Sequence, residues 1–310
     1  MNSRYTFTVF TPSFNRAHTL PRVYESLKSQ TFRDFEWLVV DDGSNDGTRE
    51  LVGRWQHEAL FPIRYLYQEN QGKHVAFNKG VQEAQGELFL PLDSDDACIP
   101  RALERFKYHW DSIPSTQKER FSAVTALCQD HDGMLVGKRF PRDILDSDSV
   151  ELVFKYKIKG EKWGFQRTDV LKQFPFPIVP EVKYVSESVV WLALSRTFKT
   201  RVVNEMLRIY HVKHSAGSRM SELSASTIRG RALFHRQVLN DFVDLLFRYP
   251  WGLSRSAINF SRYSFGTGTS PDRQFSEVRP LRSRLLLAAF MPVGFLMALY
   301  DSRCIPASSQ

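Results

Sequence analysis

Four apolar runs in roughly the first hundred residues alternate with helically spaced stretches, and this alternation leaves little choice of fold. The runs are Tyr5–Thr11, Phe35–Val40, Ile63–Tyr67 and Leu88–Leu92. They lack strict polar alternation, as strands covered on both faces do. Between them, Leu20–Ser29 puts Leu20, Val23, Tyr24 and Leu27 on one helical face. Thr48–Glu58 reads as a second helix capped by Asn45 or Asp46, and His74–Gln85 as a third with Gly86 just past its end. Pro12 is expected to end the first strand. Short connections between alternating strands and helices predict an α/β domain on a mostly parallel sheet. Ligands of such sheets bind beyond the carboxyl ends of the strands. The polar clusters Pro12-Ser13-Phe14-Asn15, Asp41-Asp42-Gly43-Ser44 and Asp93-Ser94-Asp95-Asp96 would then share one edge.

The last cluster is the most demanding. Three carboxylates at the end of a buried strand repel each other and lose solvation. A divalent cation bridging to phosphate oxygens offsets both costs, because Mg²⁺ is commonly held by one or two carboxylates plus substrate phosphates. Lys and Arg number 42 against 34 Asp and Glu, a balance suited to phosphate ligands, nucleic acid or an anionic membrane face. Cys98, Cys128 and Cys304 are odd in number and far apart, so neither a disulfide framework nor a zinc spacing is expected. A reducing, cytoplasmic setting follows. Met1–Arg4 runs straight into the first strand, with no signal-peptide pattern.

Further along, Phe121–Gln129 and Thr200–Tyr210 read as strands, and Val150–Tyr156, Val189–Thr197 and Thr227–Arg248 as helical. Ser254–Ser276 is rich in Ser, Gly and Arg and reads as a loop. Leu285–Tyr300 carries no charge and follows Arg279, Arg282 and Arg284. It contains Pro292 and Gly294 and falls short of the ~20 residues that a spanning helix needs. An interfacial segment, its arginines drawn to anionic lipid, is the expectation, with a buried helix as its rival.

Several motifs in order resemble the bacterial inverting glycosyltransferases of family 2. They are Val9-Phe10-Thr11-Pro12-Ser13-Phe14-Asn15-Arg16, Ser29-Gln30-Thr31-Phe32, and Leu38-Val39-Val40-Asp41-Asp42-Gly43-Ser44-Asn45-Asp46-Gly47-Thr48. Glu69-Asn70-Gln71-Gly72-Lys73, Asn78-Lys79-Gly80 and Leu92-Asp93-Ser94-Asp95-Asp96 continue the match. Weaker likeness to the acceptor half of capsule, O-antigen or exopolysaccharide enzymes lies in Lys162-Trp163, Phe174-Pro175-Phe176-Pro177 and Ser186-Glu187-Ser188. The resemblance implies the GT-A fold, a Rossmann-like, mostly parallel sheet. Its domain would span 1–215, with a nucleotide-sugar half to about residue 100 and an acceptor half beyond. A helical region, 216–310, would follow, a candidate for membrane association.

The resemblance also implies roles. Asp93 and Asp95 form the D-x-D motif, with Asp95 on Mn²⁺ or Mg²⁺ and Asp93 on the donor ribose or the metal, while Asp96 adds an outer hydrogen bond. Asp42 accepts from the uracil imide, and Asp41 is structural. Pro12, Phe14 and Asn15 wrap the base and ribose, and Lys73 contacts base or phosphate. Many relatives have a Glu-Asp pair where this chain has Glu187-Ser188, so the second carboxylate is missing and Glu187 is the general base, with Glu181 as fallback. His211 or His214 is a further metal ligand in some relatives. Trp163 and Phe174–Phe176 supply an acceptor platform or core. The implied reaction moves a sugar from a nucleotide-diphospho-sugar, UDP-sugar first, to a hydroxyl on a polysaccharide or lipid-linked glycan. A sugar nucleotidyltransferase would carry a Gly-rich, basic loop after the first strand, where Pro12-Ser13-Phe14-Asn15 stands. A dehydrogenase would carry G-x-G-x-x-G there. A basic module binding membrane or nucleic acid would cluster Lys and Arg among aromatics; here they are dispersed outside the C-terminal third, and no nucleic-acid partner is expected.

Overall fold

The computed structural model describes residues 3–179, 182–211 and 225–304. The chain divides into two compact units, Met1–Phe176 with Val190–His214, and Pro177–Val189 with Ser215–Gln310. The segment Pro177–Val189, and Glu187 with it, therefore groups with the C-terminal unit.

The first unit begins with the expected alternation: β1 (Tyr5–Ser13), α1 (Leu20–Lys28), β2 (Phe35–Asp42), α2 (Thr48–Glu58), β3 (Ile63–Gln68), α3 (Lys73–Glu83) and β4 (Gly86–Pro91). It continues through β5 (Ala97–Cys98), α4 (Ala102–Asp111), α5 (Ser115–Lys118), β6 (Phe121–Gln129), β7 (Ile144–Ser147), a π-type turn at Glu151–Lys155, β8 (Lys162–Arg167), α6 (Thr168–Leu171), α7 (Ser188–Leu194) and β9 (Lys199–Ile209). One sheet runs β3-β2-β1-β4-β8-β6-β9-β5, with β7 paired to β9. The strands β3, β2, β1 and β4 are mutually parallel, so their carboxyl ends share one edge.

The pairing register explains two departures from expectation. Pro12 stays inside β1, opposite Val40. Gly86 opens β4 rather than capping α3, because a Cβ there would sit 2.2 Å from the Thr8 nitrogen. The core gathers Phe7, Val9, Leu20, Val23, Leu27, Trp37 and Val39, all without exposure. Tyr24 stacks on Trp55 with ring centroids 4.5 Å apart, sealing α1 and α2 over β2. Each such fully buried side chain contributes roughly 1.5–3 kcal/mol, so the apolar periodicity of these helices is the main force placing them.

The second unit contains α8 (Ala225–Asp241), α9 (Pro250–Gly266), α10 (Pro271–Glu277) and α11 (Leu281–Cys304). The expected loop at Ser254–Ser276 is thus mostly helix. Its serines are packing residues: Ser256, Ser261 and Ser264 are buried. A Cβ on Gly294 would lie 2.6 Å from the Ser261 Cβ, so α9 and α11 meet through small residues. Tertiary packing overrides the weak helix preference of serine here. Residues Leu281–Ser302, with mean hydropathy 1.7, are long and apolar enough to cross a membrane by length and composition. The shorter length read from sequence is corrected, because the helix continues through Pro292 and Gly294.

Candidate active site

The loops beyond β1, β2, β3 and β4 are tied into one rim. Asn15 adopts a left-handed φ of 55°. Its amide donates to Ser44 Oγ at 2.8 Å, and its Oδ1 accepts from the Asn45 amide at 2.9 Å. Asp46 Oδ2 accepts from the Ala17 amide at 2.9 Å, while its Oδ1 accepts from the Thr48 hydroxyl at 2.6 Å. Burial works against ionisation of Asp46, but the bonds from Thr48 and Ala17 outweigh it and hold the carboxyl below its usual range. Asp46 therefore does the work expected of a cap, one residue ahead of a left-handed Gly47. Gly43 needs its φ of 88° and its lack of a side chain, since a Cβ would meet the Asn70 nitrogen at 2.9 Å.

The two aspartates at the end of β2 divide their tasks. Asp41 accepts from the Ser44 amide at 2.8 Å and from the Tyr65 hydroxyl at 2.5 Å. Burial first, then that bond, pushes the Tyr65 phenol up. Asp42 is buried and accepts from Gln68 Nε2 at 2.8 Å and from the Gln71 and Gly72 amides at 2.9 Å each. A carboxylate has about four lone-pair positions, and three are engaged in holding the β3–α3 loop. One remains for a ligand donor.

The first residue of α3 reaches the acidic segment. Lys73 Nζ lies 2.8 Å from Asp93 Oδ1. The other Asp93 oxygen accepts from Arg208 Nη2 at 2.8 Å, and Arg208 Nε donates to Asp96 Oδ2 at 2.8 Å. Asp96 Oδ1 accepts from the His211 amide at 2.9 Å. Burial favours the protonated form of Asp93, but Lys73 and Arg208 together hold it far below the usual carboxylate range. At Asp96 burial dominates over Arg208 and, with the Asp93 charge beside it, pushes the carboxyl up to about 6. Asp95 is half-buried, and its carbonyl accepts from Arg22 Nη1 at 3.2 Å. Burial, then the Arg22 and His131 charges, lower the His211 pKa against the pull of Asp95. The neutral imidazole so favoured is the form that ligates metals.

Whether these groups suit a divalent cation can be judged from the donor set. Among the described residues no cluster of three or more His, Cys, Asp or Glu side chains stands ready for a metal. Asp95 offers the hard carboxylate oxygen that Mg²⁺ or Mn²⁺ takes, and His211, whose amide donates to the adjacent Asp96, brings a nitrogen donor to the same segment. A single carboxylate completed by substrate phosphates falls within the usual protein share of a Mg²⁺ site. The set fits a cation that arrives with a diphosphate.

Residues 8–129 match the family model described as Glycosyl transferase family 2. The chain carries a family 2 glycosyltransferase domain. Among curated relatives of this glycosyltransferase, an uncharacterized glycosyltransferase of Nostoc sp. is 27% identical over 267 residues, covering 79% of this chain and 77% of that one. The GalNAc(5)-diNAcBac-PP-undecaprenol beta-1,3-glucosyltransferase of Campylobacter jejuni is 28% identical over 211 residues, 66% of this chain and 64% of that one. A structure of S. aureus TarS 1-349 in complex with UDP-GlcNAc aligns with a TM-score of 0.60 at 18% identity, over 96% of this chain and 92% of that chain. The mannosyltransferase PcManGT from Pyrobaculum calidifontis, solved with GDP-Man and Mn2+, aligns with a TM-score of 0.52 at 17% identity, over 96% and 88%. These neighbours establish the GT-A-like fold of the glycosyltransferase.

Of the site residues named from sequence, Pro12, Phe14, Asn15, Asp42, Lys73, Asp93 and Asp95 stand on this rim. Pro12 and Phe14 are half-buried. Asn15 is engaged in joining two loops. Trp163 lies in the core, its Nε1 donating to the Pro91 carbonyl at 2.5 Å, and Phe176 packs edge-on against Phe77, so neither forms an open acceptor platform. Glu187 is half-buried, one residue before α7. Glu181 and His214 lie outside the described residues. Sequence reasoning missed Arg208. The signal it offered was an arginine in the apolar stretch Val202–Tyr210, three residues before His211.

Proposed function

We propose that this glycosyltransferase moves a sugar, with inversion, from a UDP-sugar to a hydroxyl of a polysaccharide or lipid-linked glycan. The convergence of Asp42, Lys73, Asp93 and Asp95 on one rim carries the reading. Asp42 would accept from the uracil imide with its remaining lone pair, and Phe14 would lie against the base. Lys73 would turn its ammonium from Asp93 to the diphosphate. Asp95 and His211 would hold a divalent cation. When bound, that cation supplies Lewis-acid stabilisation of the departing diphosphate. Glu187 is the base that takes the acceptor hydroxyl proton, freeing the oxygen to attack the anomeric carbon opposite the diphosphate. Support for the donor comes from the TarS structures with UDP and UDP-GlcNAc. Support for the acceptor comes from the undecaprenol-linked substrate named for the Campylobacter relative.

A membrane-proximal site of action belongs to the same reading. Leu285, Leu296 and Tyr300 on α11 are 64%, 65% and 70% exposed, and Arg282 and Arg284 stand at its start. An apolar helix face left uncovered beside arginines suits an anionic bilayer surface.

The deciding experiment is a panel of nucleotide-sugars scored for nucleotide release, with and without Mn²⁺ and candidate acceptors. Release from a UDP-sugar that depends on Mn²⁺ and on a glycan acceptor is expected. Release from none of the donors, or only from non-UDP donors, rejects the assignment. Glu187→Gln should bind donor normally and transfer sugar roughly 10²–10⁴-fold more slowly; a variant that transfers at the wild-type rate removes Glu187 from the base role.

A further inference from the structure

Glu161 is a carboxylate with no part in the site described so far, yet the strand pairing puts it on the same edge. It immediately precedes β8. β8 runs antiparallel to β4, with Leu88 opposite Arg167 and Phe89 opposite Gln166, so β8 enters the sheet where β4 leaves it for Asp93. The bond from Trp163 Nε1 to the Pro91 carbonyl ties the two ends together. On its other side Lys162 pairs with Leu127, and the next residue of β6, Cys128, pairs with Arg208. The same register carried one residue further sets Glu161 beside Cys128, at the head of the row that leads to the arginine of the acidic segment.

The main chain around Glu161 is firmly held while its side chain is left open. A Cβ on Gly160 would lie 2.4 Å from the Gly137 Cα, so two backbones touch there. The Lys138 amide donates to the Lys159 carbonyl at 3.1 Å. Lys162 Nζ donates to the Lys159 and Glu161 carbonyls at 3.2 and 3.1 Å, so the ammonium next in sequence is engaged by main chain. Glu161 is half-buried, and among the described residues no hydrogen bond or ion pair reaches its carboxylate. Its charge is felt at the end of β9: burial first, then Glu161 ahead of Asp96 and Asp95, pushes the Tyr210 phenol up against the effect of Arg208. A half-buried carboxylate without a donor loses solvation that only a ligand's donor can replace.

The order of the strands indicates which part of a ligand supplies that donor. Along the edge, β2 ends in Asp42, and β4 leads into the segment bearing Asp93 and Asp95. β8, with Glu161 just ahead of it, is the next strand, one step of about 4.8 Å further. A nucleotide-sugar with its base at Asp42 and its diphosphate at the acidic segment would bring its sugar to this next step. A carboxylate repels phosphate and accepts from hydroxyls. Among the described residues no group of three or more His, Cys, Asp or Glu side chains is placed to hold a metal, so Glu161 is not part of a carboxylate cage. We infer that Glu161 is a sugar-recognition residue: its carboxylate accepts from a hydroxyl of the donor sugar or of the acceptor sugar that meets it at this edge. The inference rests on the sugar-transfer reading above.

The test compares binding and turnover in the full chain, with UDP alone and with the UDP-sugar and acceptor that give nucleotide release in wild type. Glu161→Ala should keep the Kd for UDP, by calorimetry, within about twofold and raise one KM about tenfold or more, the scale of a hydrogen bond to a charged acceptor. A rise in the donor KM assigns the hydroxyl to the transferred sugar, and a rise in the acceptor KM assigns it to the acceptor. Mono-deoxy analogues of that sugar add a readout that a structural role would not move. One of them should be a poorer substrate for wild type by a similar factor, yet no poorer than the parent sugar for Glu161→Ala. Should Glu161→Ala fail to fold, Glu161→Gln decides, because it keeps the shape and one neutral acceptor oxygen: a KM raised at least about threefold supports the role, and an unchanged KM overturns it. In folded Glu161→Ala, unchanged KM values, an equal loss of UDP affinity, or a fall in kcat with both KM values unchanged overturns the proposal alone. Wild type that transfers from no nucleotide-sugar overturns the sugar-transfer reading and the proposal with it.

Discussion

The same four parallel strands end in two ion networks, and the two are built to opposite purposes. At the amino ends, Glu36 has no exposure and accepts from the Thr8 hydroxyl at 2.7 Å, the Gln85 amide at 2.8 Å and Arg64 at 3.2 Å. Arg64 is held further by the Glu83 carbonyl at 2.7 Å. Donors from β1, β3 and the residue just ahead of β4 thus converge on one carboxylate sealed in the sheet. At the carboxyl ends, Asp93 is 31% exposed, and one of its partners is Lys73, 46% exposed at the start of α3. The amino-end network centres on a carboxylate with no exposure, whereas at the carboxyl end Asp93 itself is open to solvent beside Lys73. A buried charge with its partners fixed specifies the strand register. A charge whose partner can leave is ready for a ligand.

Substitutions can break or sharpen that contrast. The largest effect is expected at the open end: Asp95→Ala should lower kcat/KM by roughly 10²–10³-fold, the scale of losing one electrostatic stabiliser of a leaving group, with the melting temperature unchanged. Loss of folding in place of activity would erase the distinction between the two edges. Next comes Glu36→Ala at the closed end. It should lower stability by about 3 kcal/mol, the lower end for breaking a buried pair, because Arg64 retains Glu83. Denaturant titration measures this, and kcat of the folded fraction should match wild type. Third, Asp42→Asn keeps the shape of the side chain but replaces one acceptor oxygen by an amide donor facing the Gln71 or Gly72 amide. The β3–α3 loop should loosen and UDP affinity, by calorimetry, fall about tenfold, equivalent to one charge-assisted hydrogen bond of about 1.4 kcal/mol. Unaltered affinity would make Asp42 a loop staple only.

The open end was far more legible in the sequence than its wiring. Apolar runs ending in Asp41-Asp42 and Asp93–Asp96 declare both the sheet and the edge that binds, since strand periodicity and turn chemistry are local. Who neutralises those carboxylates is not local. Arg208 stands 115 residues from Asp93, and Glu36 meets Gln85 over 49. In sequence each is one charge within an apolar stretch. Asn15 illustrates the same limit, because a residue expected at the ligand proves to be joined to Ser44 and Asn45 through a left-handed turn. In the C-terminal unit the reading failed for another reason. Ser256, Ser261 and Ser264 read as loop on propensity, and only the close approach of α11 at Gly294 makes small polar residues the right ones for a helix. Propensity is a weak prior when packing supplies the energy.

The smallest expected effect tests whether the two ends are independent. Thr8→Val preserves shape and removes one hydroxyl. That hydroxyl donates to Glu36 and accepts from the Gly86 amide at 2.8 Å, so its loss leaves a buried N–H and a carboxylate oxygen each short of a partner. Water has no room to replace it, because Gly86 is already packed so tightly on the Thr8 backbone that even a Cβ is excluded. The cost should be about 1–2 kcal/mol of stability, seen as a lower denaturation midpoint. UDP affinity should stay within error of wild type, because Thr8 lies at the opposite end of β1 from the Asn15 turn. A variant that keeps its midpoint but binds UDP more weakly would mean that strain at the closed edge is transmitted along β1 to the rim, and the division between a register-setting network and a ligand-ready one would no longer hold.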